Sequence, residues 1–157
     1  LSEAITNVVH HAYPESKGYT QDDKQWYLTA SYDNESSVFK VVFYDQGITI
    51  PGSLPESKIN EKILKYLSVL PLAERKRDEQ LLKAAVERQR SSTGEEDRGK
   101  GLQDLLEFIK QRGEGYLSIM SGRGLYKYSQ KNNNHEVKTV SFHLPVCGTL
   151  IVWSTKL

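Results

Sequence analysis

LSEAITNVVHHAYP, residues 1–14, is the stretch on which the fold turns. Leu1, Ile5, Val8, Val9 and Ala12 recur at helical spacing, and Glu3 and Asn7 lie one turn apart beside that apolar stripe. Such a pair is ordinarily a solvated helix face. Beside phosphates it gains a chemistry, because an amide oxygen completes the octahedral shell of Mg²⁺ and a carboxylate orients or deprotonates a hydroxyl or water. The chain opens inside this periodic helix without an initiator Met, which reads as an N-terminally truncated fragment.

Moving outward, Pro14 and Gly18 end the helix, and Trp26, Leu28, Ala30 and Tyr32 alternate with polar residues as a half-buried strand. A DNESS turn leads to VFKVVFYD, where Phe39, Val41 and Phe43 share a face with Asp45 next in the same row. Gly47, Pro51, Gly52 and Pro55 mark a loop. Ile59 to Leu70 has helical spacing, Pro71 interrupts it, and LAERKRDEQLLKAAVERQ (72–89) is a second helical stretch so charged that it reads as mostly solvated surface. SSTGEEDRGKG contains no apolar residue and reads as a loop. In LQDLLEFIKQR, Leu102, Leu105, Leu106 and Ile109 stand at i, i+3, i+4 and i+7, so a helix begins at or just after Gly101. The remainder reads as four strands, YLSIMS, LYKYSQ, VKTVSFHL and TLIVWST, with SGRG and NNNH as turns. The order predicts an α+β protein: a two-layer sandwich with a mixed, mostly antiparallel sheet and helices on one face.

Length and composition predict one domain spanning 1–157. The 21 basic and 20 acidic side chains leave a formal charge of +1, which gives no electrostatic footprint for nucleic acid or an anionic membrane. The single Cys147 cannot form an intrachain disulfide and reads as a small apolar packing residue; a cytoplasmic domain is the expectation.

Glycines flank Lys100 in RGKGL, just where the amphipathic helix starts. Unpaired amides at a helix N-terminus attract phosphate, and glycine admits it closely, so Gly99, Lys100, Gly101 and Leu102 read as a phosphate cradle assisted by Arg98. An ionised Asp45 at the end of an apolar row offers only acceptors and suits an exocyclic amine such as adenine N6, with Gly47 admitting a flat base. The bland alternatives are an ordinary loop meeting a helix and an Asx-type turn after a strand. His10 and His11 point about 100° apart on a helix and read as packing or surface residues, and His135 belongs to a turn.

These features occur in a meaningful order. An E-x-x-x-N helix, a strand ending D-x-G, a long variable excursion, G-x-G-L opening a helix, and a late G-T entering a strand together resemble the GHKL ATPase superfamily, the histidine-kinase-like or Bergerat ATP-binding fold. LSEAITNVVHHAYP is similar to the corresponding helix of bacterial anti-sigma-factor serine kinases. The resemblance runs from Leu1 to about Trp153. It implies ATP and Mg²⁺ as cofactors, Asn7 as metal ligand, Glu3 as general base, and Asp45 as reader of the adenine amine with Gly47 and Thr149 beside it. It further implies phosphate contacts at Gly99 and Gly101 and an ATP lid within 52–98. Two departures stand out: DQGIT carries Thr49 where the family commonly has a second glycine, and acidic EED precedes the phosphate motif.

The expected function is an Mg·ATP-binding domain of a bacterial-type regulatory kinase or ATPase. It would transfer the γ-phosphate to a protein phosphoacceptor or hydrolyse it, and a homodimer is an open possibility. The alternative is a catalytically weak, nucleotide-sensing or partner-binding module, which Thr49 and the EED run favour.

Overall fold

The computed structural model describes residues 12–54, 60–88 and 100–157. A 3-10 turn at Glu15–Lys17 leads to β1 (Trp26–Asp33), β2 (Val38–Asp45), the short α1 (Ile50–Ser53), α2 (Asn60–Ser68), α3 (Asp78–Arg88), α4 (Lys100–Arg112), β3 (Glu114–Lys131) and β4 (Asn134–Lys156). The sheet order is β1-β2-β4-β3. The protein is α+β, as expected, although every pairing among the described residues is antiparallel rather than mixed.

In β2 the expected row holds: Val41, Phe43 and Asp45 are buried on one face, and β1 and β4 flank the strand. β1 departs from expectation, being exposed at every residue. It is an edge strand, and α3 and α4 pack on β3 and β4 instead. Two of its aromatic rings rest on β2: Trp26 stacks on Phe43 at 5.9 Å and Tyr27 on Tyr44 at 6.3 Å.

The charged stretch 72–89 is the larger correction. Its helix begins only at Asp78, and its central LLKAAV lies deep inside the protein. Leu82 and Val86 face the main core with Leu106, Ile109, Leu117 and Ile119, while Ala84 and Ala85 close a second core against Leu54, Ile63 and Leu67. The helix is therefore apolar on two sides, and its charges sit at its ends and in the gaps between. α4 follows expectation: Leu106 and Ile109 are buried, with Leu102 and Leu105 packed at the margin.

The four expected late strands are two long ones. Asn132, at φ +55°, makes the foreseen turn, but Ser121–Gly124 lies inside β3 rather than forming a hairpin. There the register jumps: Gly122 pairs with Val146 and Gly124 with Ser141, so Phe142–Pro145 stand opposite Arg123 alone. An Arg123 guanidinium N–H donates to the His143 carbonyl across the bulge. The irregularity switches which residues face inward, from Leu117, Ile119 and Ser121 to Tyr126 and Tyr128, and both tyrosines join the main core.

Candidate functional site

Asp45 closes the inward row of β2 and is 3% exposed. Its Oδ1 accepts from the Gly47 amide at 2.9 Å, an Asx-type turn that starts the following loop. Burial is the main influence on the carboxyl and pushes it up to about 6, against hydrogen bonds from the Gly47 and Thr149 amides that pull it down. A carboxylate has about four lone-pair sites, so two amides leave it with acceptor capacity.

Thr149 lies directly opposite Asp45 in the β2–β4 ladder and opposite Ser121 in the β3–β4 ladder. Both hydroxyls are buried and stand 2.8 Å apart. Ser121 Oγ also accepts from the Ile50 amide at 2.9 Å and lies 3.2 Å from the Gly148 carbonyl. One serine hydroxyl therefore ties β3, β4 and the start of α1 together. Reasoning from sequence missed it. The signal was the one that found Asp45: in Leu117, Ile119, Ser121 an apolar period-two row ends on a polar residue.

Gly47 and Gly148 are required by close approach. A side chain at 47 would overlap the Ala12 carbonyl, whose oxygen accepts from the Ile48 amide at 2.6 Å. Gly148 holds φ at +73°, and a side chain there would overlap the Asp45 carbonyl. Thr49 has a local task as well, since its hydroxyl accepts from the Gly52 amide at 3.1 Å and caps α1. Tyr13 closes one side: its hydroxyl donates to the Gln25 carbonyl at 2.5 Å and accepts from the Gln46 amide at 3.2 Å.

The structure thus brings Asp45, Gly47 and Thr149 together. Lys100 and Gly101 form the first residues of α4, and Leu102 packs against the main core one turn before Leu106. Glu3, Asn7, His10, His11, Arg98 and Gly99 lie outside the described residues, as do 55–59 and 89–97 of the expected lid. Among the described residues no group of three His, Cys, Asp or Glu side chains is placed to hold a metal ion. Cys147, expected to pack as a small apolar residue, is exposed instead. It sits in β4 beside Gly148, and its carbonyl accepts from the Tyr44 hydroxyl at 3.1 Å. No described helix is long and apolar enough to cross a membrane.

Fold and site together define an α+β domain whose antiparallel sheet ends in a buried acid and two coupled hydroxyls. No family model matches the chain, and neither a curated protein nor a solved structure is significantly similar to it.

Proposed function

We propose that this chain is an Mg·ATP-binding domain of the GHKL type that passes the γ-phosphate to a protein acceptor or to water. The observation that supports this most is the placement of Asp45. A buried carboxyl with acceptor capacity stands at the end of β2, with Thr149 in register beside it and a glycine two residues on, in the order the resemblance assigns to adenine recognition. Ionised Asp45 accepts from the exocyclic amine, and the Thr149 hydroxyl, held by Ser121, bonds at the base edge.

In this reading the phosphates meet Lys100 and Gly101 at the start of α4, and the resemblance adds Gly99 as a phosphate contact, Arg98 as cationic support and Asn7 as the residue that would hold Mg²⁺. Bound there, Mg²⁺ neutralises phosphate charge. Glu3 takes the proton of the attacking hydroxyl or water. The acceptor is a serine, threonine or histidine of another domain or protein in the cytoplasm. Within 52–98 the buried α3 belongs to the core, so it is no part of the lid.

A nucleotide-sensing module without efficient transfer is the second reading. It is favoured by Thr49, which spends its hydroxyl on capping α1 and stiffens the loop where the family commonly has glycine.

The test is calorimetric titration of ATP into the chain with and without Mg²⁺, beside Asp45→Asn. Binding that tightens with Mg²⁺ and weakens roughly tenfold or more in the variant is expected, the size of a hydrogen bond to a charged group. Binding unchanged in Asp45→Asn sinks the assignment. Phosphate release or acceptor labelling that survives Glu3→Ala removes Glu3 from the chemistry. ATP binding with neither activity selects the sensing module.

A further inference from the structure

A cleft of about 530 Å³ opens between α3, α4 and the distal part of the β3–β4 hairpin. Asp45, Gly47 and Thr149 do not line it. Val86, Leu106 and Tyr126, all buried, form its floor, and the accessible wall comes from Val137 and from His135, whose ring stacks on Tyr128 at 5.8 Å.

Most polar groups at its margin are already engaged with one another. Lys110 Nζ lies 2.9 Å from Glu107 Oε1, so their charges cancel. The Tyr128 hydroxyl donates to Gln130 Oε1 at 2.5 Å, and Gln130 Nε2 donates to the Asn132 carbonyl at 3.2 Å. Glu87 is different. It is half-buried, its contact with the Tyr126 hydroxyl is long at 3.5 Å, and among the described residues no cation pairs with it. Burial pushes the Tyr126 hydroxyl upward, so it remains a neutral group beside the carboxylate.

An apolar cleft with aromatic lining and a carboxylate that no described cation pairs is complementary to an ammonium group carried on an apolar body. We propose that this cleft binds a small organic amine. The protonated nitrogen meets Glu87, and the hydrocarbon body lies against Val137 and the His135 ring that stacks on Tyr128. The reading is independent of the Asp45 site.

Phenethylamine titrated at pH 7 into isotopically labelled protein is the probe, followed by NMR. Saturable shifts at Val86, Leu106, Tyr126 and Tyr128 are expected, with affinity falling roughly tenfold in Glu87→Gln, as for loss of one charge-assisted hydrogen bond. The neutral isostere 2-phenylethanol is expected to bind comparably weakly, and Asp45→Asn to leave the shifts intact. Equal binding of amine and alcohol, or an unchanged affinity in a folded Glu87→Gln, overturns the proposal. Tighter binding of N-acetyl-lysine methylamide than of phenethylamine also overturns it, by assigning the cleft to a protein lysine.

Discussion

Gly148 lies against Asp45 so closely that a methyl group at 148 would overlap the Asp45 carbonyl, and its φ of +73° is one that side chains rarely adopt. This approach carries Thr149 into register opposite Asp45. Gly148→Ala combines a steric clash with left-handed strain and is expected to cost about 1–3 kcal/mol. Denaturant unfolding measures the cost. ATP titration of the folded fraction is expected to show weaker binding, because Asp45 and Thr149 move apart.

The Asp45 carboxyl gives the protein a pH dependence of uncommon sign. Its value is raised from 3.8 to about 6, so between those limits the folded state binds more protons than the unfolded one. Its contribution is therefore fully present below pH 3.8 and lost as pH rises through about 6. The loss is on the order of 3 kcal/mol. Asp45→Asn is expected to flatten that part of the stability profile in chemical denaturation. ATP binding runs the other way: only the ionised carboxyl accepts from the base, so affinity is expected to rise from pH 5 to pH 7.

Ser121 holds three elements through one oxygen. Ser121→Ala removes the acceptor of the half-buried Ile50 amide and the partner of the buried Thr149 hydroxyl. A loss of about 1–3 kcal/mol is expected on thermal or denaturant unfolding. Hydrogen exchange is expected to accelerate at the Ile50 amide before the rest of the sheet opens.

Two leucines separate surface from core. Leu82, fully buried on α3, is expected to cost about 2–5 kcal/mol when replaced by alanine, because the main core cannot close around the void. Leu28, 41% exposed on the edge strand, is expected to cost about 1 kcal/mol or less. Paired unfolding curves of the two variants check this. A small effect at Leu82 would return α3 to a solvated surface role.

Those leucines also show what the sequence could and could not reveal. The β2 row, the amphipathic α4 and the Asn132 turn were legible, because period and turn chemistry are local properties. Burial of α3 was not: counting its charges hid the apolar LLKAAV centre, and only the tertiary arrangement of two cores reveals why it is apolar on both sides. The alternation in β1 correctly gave a strand but not its exposure, which depends on its place at the sheet edge. SGRG carried turn chemistry and became a bulge, since both outcomes ask for glycine. At the site, Asp45 and Thr149 were legible separately, whereas Ser121 gains meaning only through the cross-strand register.

The place of β4 in the sheet has a consequence for how the protein is made. β2 has β1 as its only strand neighbour until β4 enters on its other side, and the Tyr44 hydroxyl must find the Cys147 carbonyl 103 positions later. While the ribosome is still translating the helices, the β1–β2 hairpin bearing Trp26, Phe39 and Phe43 lacks the strand that flanks β2 on its other side. Such long-range closure is slow. The acid–hydroxyl cluster therefore comes into being only once β4 has been made and has entered between β2 and β3.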